Sequence, residues 1–263
     1  MAWSYWENGG TEAWASNYPP AKGNRQSPVD IDDWITDRAL SAQSLNFYYK
    51  SGDLKTIRNN GHSWQIDVSP ESRSEMFARH LSLNAFRLLQ IHAHWGVGAN
   101  DGSEHKIKGQ RYAGEIHLVH WNTKYDDAKQ AGSHPDGIAV LGVFLKRSEW
   151  DNPKLTPLIS ILTNVRYKGQ LCDLHGTVNP EVFLPDVRAF WTYEGSLTTP
   201  PCSECVLWTL FEEPILISDK QLEAFRSLSS GEQGLTNAPA MINNVRPTQP
   251  LGARKVRYSA GLT

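Results

Sequence analysis

Gln90-Ile91-His92-Ala93-His94-Trp95 carries two histidines one residue apart, and a third stands in Glu115-Ile116-His117-Leu118-Val119. Both runs read as β-strands. Side chains on a strand alternate between faces, so Gln90, His92 and His94 share one face, as do Glu115, His117 and Val119. If the two strands are neighbours, three imidazoles converge on one point. Three neutral imidazoles leave a Zn²⁺ ion one open position, the pattern of a catalytic metal site rather than a closed structural one. Gln90 and Glu115 each precede a candidate ligand by two residues. They stand where an amide and a carboxylate would accept the outer ring N–H and so fix tautomer and orientation.

The rest of the chain reads as an ordinary globular protein. Of its 263 residues, 26 are Lys or Arg and 28 are Asp or Glu, a formal net charge of −2. Such a balance offers neither a basic nucleic-acid footprint nor a polybasic membrane anchor. Apolar runs such as Ile138–Leu145 have strand length and fall far short of a membrane span. No repeat, low-complexity tract or linker divides the chain, so one domain over residues 1–263 is expected.

Strands are predicted over Leu45–Tyr49, Ser63–Val68, Leu88–His94, Glu115–Trp121, Ile138–Leu145, Trp191–Tyr193, Glu204–Phe211 and Lys255–Ser259. Ser218-Asp219-Lys220-Gln221 reads as a capping box opening a helix over Gln221–Leu228. Pro153–Val165 is a second helical candidate, weakened by Pro157.

Several motifs together resemble the α-class carbonic anhydrases. They are Gln90–Trp95, Ser103-Glu104-His105, Glu115–Lys124 and Ser196-Leu197-Thr198-Thr199-Pro200-Pro201. Gly23–Ile31, Asn59–His62, Phe190–Tyr193 and Asn244–Leu251 agree, in order, over nearly the whole chain. The resemblance implies a mainly β (α+β) fold: a single large twisted mixed, mostly antiparallel sheet with short peripheral helices. It implies reversible hydration of carbon dioxide to bicarbonate and a proton by a zinc-bound hydroxide, with hydrolysis of small activated esters as a side activity. Aromatic sulfonamides should inhibit.

The same resemblance assigns roles. Zn²⁺ falls to His92, His94 and His117, supported by Gln90, Glu115 and Asn244. Glu104 and Thr198 match the pair that orients the nucleophile. Thr199 contacts substrate and product. Val119, Val140, Leu197, Val206 and Trp208 map to the apolar pocket for carbon dioxide. His62 matches the proton shuttle, and Tyr5, Asn60 and Gln65 match the polar positions that order its waters. Gln65 is longer than the Asn frequent there. Ala93 stands where relatives often carry Phe, which predicts a looser ligand strand and faster zinc exchange.

The remaining histidines receive plainer readings. His120, three residues from His117, faces the other side of its strand as a buried hydrogen-bonding residue. His105 is structural. His80, His134 and His175 are expected on the surface.

Cys172, Cys202 and Cys205 form an odd, sparse set, unlike a disulfide framework. Secreted relatives often tie a cysteine at the Cys202 position to one in the segment that here reads Pro20-Ala21-Lys22-Gly23, where none stands. Cys202-Ser203-Glu204-Cys205, if extended, sends its two thiols to opposite sides, so a joint metal or redox role is not expected. The given N-terminus, Met1 to Trp6, shows no basic stretch followed by a long apolar one. A cytoplasmic monomer is therefore expected. A non-catalytic binding relative is the rival reading, but such proteins typically lack a zinc histidine and all three are present here.

Overall fold

The structure is a computed structural model that describes residues 3–7, 10–41, 44–81, 84–236 and 238–259. Met1 and Ala2 of the N-terminal reading lie outside the described residues. In chain order the strands are Asp30–Ile31 (β1), Ile35–Thr36 (β2), Asn46–Tyr48 (β3), Leu54–Asn59 (β4), Trp64–Val68 (β5), Glu75–Phe77 (β6), Phe86–Trp95 (β7) and Lys106–Ile107 (β8). Gly114–Asn122 (β9), Ile138–Ser148 (β10), Leu171–Asp173 (β11), Phe190–Gly195 (β12), Val206–Phe211 (β13), Ile215–Ser218 (β14) and Arg257–Tyr258 (β15) follow. The α-helices are short: Trp14–Asn17 (α1), Ala128–Ala131 (α2), Thr156–Leu162 (α3) and Asp219–Arg226 (α4).

Thirteen strands form one open sheet along the path β11-β4-β5-β7-β9-β10-β13-β12-β15-β2. The strand β14 joins β10 on the side, while β6 pairs both β7 and β3. Most pairings are antiparallel; β10 runs parallel to β13 and β14, and β15 to β2. This is the mixed, mostly antiparallel sheet with short helices that the resemblance implies.

The central strands β7, β9 and β10 are long, and their alternation sorts residues into two cores. Ile91, Ala93, Trp95, Ile116, Leu118, Ala139, Leu141 and Val143 belong to the larger one. Val119, Val140, Phe144, Trp208 and Leu210 belong to the second, on the opposite face. Because both faces are covered, every residue from Gly114 to His120 is buried. A strand buried on both sides reads as a near-continuous apolar run.

The capping box of α4 is present. Ser218 Oγ accepts from Gln221 N at 3.1 Å, and Gln221 Oε1 accepts from Ser218 N at 3.3 Å. Such a cap contributes about 1 kcal/mol. The Pro153–Val165 segment is helical throughout, but in three pieces: 3₁₀ turns at Pro153–Leu155 and Thr163–Val165 flank α3. Pro157 sits in the first turn of α3, where its missing N–H breaks no helical bond.

Two of the plainer histidine readings need correction. His80 is half-buried, its ring tilted 31° against Phe190 with centroids 4.7 Å apart, and His134 is half-buried, stacked on Tyr125 at 4.2 Å. Neighbouring aromatic rings cover these imidazoles. His175 is exposed as expected. His120 is buried, donating from Nδ1 to Leu118 O at 3.0 Å and paired through Nε2 with Tyr49 Oη at 2.7 Å. All three cysteines are free, and Cys202 adopts φ 61°, so the C-x-x-C run is not extended at its start.

Candidate active site

The register between β7 and β9 sets His92 opposite His117 and His94 opposite Glu115. Residues directly opposite in an antiparallel pair share a face, so all four side chains meet on one side of the sheet. His94 Nε2 lies 3.2 Å from His117 Nδ1, and His117 Nδ1 lies 3.3 Å from His92 Nε2.

Each imidazole is held from behind through its other nitrogen. His92 Nδ1 donates to Gln90 Oε1 at 2.8 Å, His94 Nδ1 to the backbone carbonyl of Asn244 at 2.7 Å, and His117 Nε2 to Glu115 Oε1 at 2.7 Å. A backbone carbonyl only accepts, as does an ionised carboxylate. The outer nitrogens therefore carry the protons, and three lone pairs converge. Burial, then repulsion from the neighbouring rings, holds His92 well below the usual histidine range. His94 is also lowered, by burial first, although Glu104 opposes the shift.

Neutral, converging and preoriented nitrogens are what a metal ion requires. For Zn–N bonds of 2.0–2.1 Å in a tetrahedron, ligand nitrogens stand about 3.3 Å apart. The observed 3.2 and 3.3 Å match that spacing without rearrangement.

Behind the third ligand a longer chain forms. Burial alone would raise the Glu115 carboxyl, but His105 and His117 together outweigh it and hold it well below the carboxylate range. Glu115 accepts from His105 Nδ1 at 2.7 Å and from His105 N at 2.9 Å. His105 Nε2 then accepts from Tyr193 Oη at 2.7 Å, and Ser27 Oγ lies 2.8 Å from that hydroxyl. The structural reading of His105 thus gains a specific content: it orients Glu115. Gly142 makes room for this carboxylate, since a Cβ there would stand 3.2 Å from Glu115 Oε1 and 2.3 Å from Leu210 Cδ2.

A family model described as eukaryotic-type carbonic anhydrase matches residues 9–260. The chain belongs to the eukaryotic-type carbonic anhydrase family. It is an enzyme of the carbon dioxide hydration class.

The other anticipated carbonic anhydrase residues divide. Val119, Val140, Val206 and Trp208 fall in one buried cluster, with Leu197 packed against it. Val140 stands opposite both Val119 and Trp208, forming an apolar row across β9, β10 and β13 beside His117. The Trp208 and His117 rings are 4.9 Å apart. Glu104 is fully buried; its Oε1 accepts from Arg246 N at 2.9 Å, and its Oε2 has no hydrogen-bond partner among the described residues. That oxygen lies 3.2 Å from His94 Nε2 and 4.0 Å from His117 Nδ1. Thr198 is buried, Thr199 half-buried. No hydrogen bond joins Thr198 to Glu104; the free carboxylate oxygen faces the imidazole edges instead.

The His62 loop is built by Asn60, whose Oδ1 accepts from His62 N at 2.9 Å and Ser63 N at 2.8 Å. Asn60 Nδ2 donates to Gln65 Oε1 at 3.2 Å, while Gln65 Nε2 donates to Asp67 Oδ1 at 2.6 Å. The extra methylene of Gln65 lets one amide reach both neighbours. The Tyr5 and His62 ring centroids are 6.3 Å apart.

Two contacts escaped the sequence reading, and Asn244, expected as support, acts in a way its side chain did not indicate. Trp3 stacks on His62 with centroids 3.8 Å apart. The Lys168 side chain packs over Gly61, and its charge adds to burial in lowering His62 to about 4. Asn244 holds the site mainly through its carbonyl, while its side chain accepts from Trp95 N and donates to His62 O, both at 2.8 Å. No local spacing signals any of these partners.

Ala93 is fully buried in the larger core. If its small side chain loosens β7, Ala93→Phe will slow zinc release, measured as transfer to a chromogenic chelator. A faster release from the variant would refute that link; overpacking of about 1–3 kcal/mol is the competing effect.

Proposed function

We propose that this carbonic anhydrase hydrates carbon dioxide with Zn²⁺ held by His92 Nε2, His94 Nε2 and His117 Nδ1. The carrying observation is the set of three lone pairs, those of His94 and His92 at 3.2 and 3.3 Å from that of His117, each fixed by an acceptor behind its ring. Zn²⁺ in such a site acts as a Lewis acid that brings the pKa of water to about 7, a value known from carbonic anhydrases themselves.

Glu104 and Thr198 orient the attacking oxygen. In the loaded enzyme the Thr198 hydroxyl, which makes no bond to Glu104 in this structure, would turn to donate to Glu104 Oε2 and leave its lone pairs free to accept from that oxygen. The unpartnered, buried Oε2 supports this reading, because it calls for one more donor. Val119, Val140, Leu197, Val206 and Trp208 give apolar carbon dioxide a dry wall. Thr199 contacts the bicarbonate product. The three free cysteines are in keeping with a reducing cytoplasmic setting for a single-domain monomer. Side esterase activity and sulfonamide inhibition follow from the same metal site.

His62 accepts the departing proton through water, with Tyr5, Asn60 and Gln65 along the path. Burial and Lys168 lower it to about 4, so it is neutral at pH 7, but the same shift makes it a weaker acceptor than a free imidazole, and the step calls for His62 to leave the cover of Trp3. His62→Ala should slow turnover in weak buffer by roughly ten- to a hundredfold, and added imidazole should restore it. Unchanged turnover would remove His62 from the path.

The reading as a whole is tested by stopped-flow carbon dioxide hydration on metal-quantified protein with a sulfonamide control. One zinc per chain with inhibitable hydration is expected. Zinc without activity would overturn the orientation roles of Glu104 and Thr198.

A further inference from the structure

On the opposite face of the sheet from the three histidines lies a second cavity, of ≈ 320 Å³, lined by His80, Thr192, Glu194, Arg254, Lys255 and Arg257 among others. Strand register explains its position. Thr209, Thr192 and Arg257 stand opposite one another across β13, β12 and β15, so their side chains share a face. Trp208 and Tyr193, one residue away in their strands, face the active site instead.

His80 enters from the connection between β6 and β7. Its Nε2 is 2.8 Å from Thr209 Oγ1, and its Nδ1 is buried without a hydrogen-bond partner among the described residues. Thr209 can donate to Nε2, and Nδ1 is then a free donor. A buried polar nitrogen without a partner is rare and calls for one.

The charges around it are not balanced. Glu194 is engaged by Arg25 at 3.2 Å, and Arg257 reaches Asp37 at 3.3 Å. Arg254 has no carboxylate in ion-pair range; it donates to the carbonyls of Leu251, Glu194, Gln26 and Pro250. Lys255 is exposed and forms no ion pair with a described residue. Two uncompensated cations, an imidazole donor and a threonine hydroxyl form a recognition set for negative oxygen atoms. The cavity is about ten times the ≈ 30 Å³ that one water occupies in the liquid, which leaves room for an anion with part of its hydration shell.

We propose that this cavity binds a small oxyanion, inorganic phosphate or bicarbonate, between His80, Thr192, Arg254 and Lys255. A metal cation is repelled by the lysine and arginines, and an apolar ligand would leave His80 Nδ1 unpaired.

The test is a titration of the metal-loaded protein, once with phosphate and once with bicarbonate, followed by amide NMR. The amides of Thr192 and Lys255 report the cavity, and those of His94 and Thr199 report the active site. Saturable shifts at Thr192 and Lys255 are expected, and the anion that saturates at lower concentration is the ligand. Lys255→Glu should weaken binding there by about tenfold, and His80→Ala should weaken it too. Lys255 is exposed, so its variant tests the idea even where His80→Ala fails to fold. Shifts confined to His94 and Thr199, or superimposable curves for wild type and Lys255→Glu, would overturn the assignment.

Discussion

His94→Ala should strip the protein of zinc and with it nearly all carbon dioxide hydration. His94 is 1 % exposed and lies nearest to His117 of the converging nitrogens, at 3.2 Å. Its loss leaves two nitrogens where an open tetrahedral site needs three protein ligands. Removing an outer partner of a ligand costs roughly 10- to 100-fold in metal affinity or activity. Gln90→Ala should fall in that range, whereas His94→Ala should exceed it. Zinc content after dialysis against a chelator, measured beside turnover, separates the two variants. Zinc retained at one per chain by His94→Ala would show that the metal sits elsewhere.

The stability of the same variant carries a second signal. In the metal-free state the substitution leaves the Asn244 carbonyl without its donor, a loss of about 1–3 kcal/mol. It also removes one of three mutually repelling lone pairs and one imidazole whose protonation burial disfavours. The two effects oppose, so metal-free variant and metal-free wild type should unfold at similar denaturant concentrations. Added zinc should raise only the wild type, because a ligand stabilises the state that binds it.

The convergence of the three histidines was readable in sequence because strand alternation is a local rule. His92, His94 and His117 share a face with Gln90, Glu115 and Val119 whatever the rest of the chain does, provided two strands pair. The capping box at Ser218 was readable for the same reason. What lay hidden depends on contacts across long separations. The acceptor behind His94 is a backbone carbonyl far along the chain, at Asn244, and no side-chain pattern encodes a carbonyl. Trp3 over His62, Lys168 over Gly61, and Tyr193 behind His105 join segments that only the folded sheet brings together. Short strands such as β1, β8 and β11 likewise owe their existence to a neighbouring edge, not to their own two or three residues.

Exposure was misjudged for a related reason. The ring that covers His80, Phe190, belongs to a strand far away in sequence. The resemblance assigns the site residue by residue, yet the Thr198–Glu104 bond it implies is not formed in the structure. Glu104 Oε2 stands instead 3.2 Å from His94 Nε2 and 4.0 Å from His117 Nδ1, a placement that no motif specifies.

Acid should unfold this protein well above the pH at which its carboxylates titrate. Burial pushes His120 down to about 3 and, helped by Arg257, His80 to about 3; burial and Lys168 bring His62 to about 4. In the unfolded chain each binds a proton near pH 6.5. Between those values the unfolded state holds more protons than the folded one, so stability rises with pH. The contribution is complete above pH 6.5 and is lost as pH falls toward 3 or 4. For fully buried His120 alone, the loss between pH 7 and pH 4.5 is about 2–3 kcal/mol. Unfolded carboxylates titrate mostly below pH 4.5, so this window isolates the histidines. The decisive comparison is denaturant unfolding of wild type and His120→Gln at pH 7 and pH 4.5. His120 faces away from the three clustered histidines, so any metal contribution cancels between the two proteins. At pH 7 the variant should be the less stable, because Leu118 O and Tyr49 Oη lose their fitted partner. At pH 4.5 the gap should narrow by about 2–3 kcal/mol or reverse. A gap independent of pH would mean that His120 protonates as readily in the folded protein as in the unfolded chain, and that its burial exerts no control over acid stability.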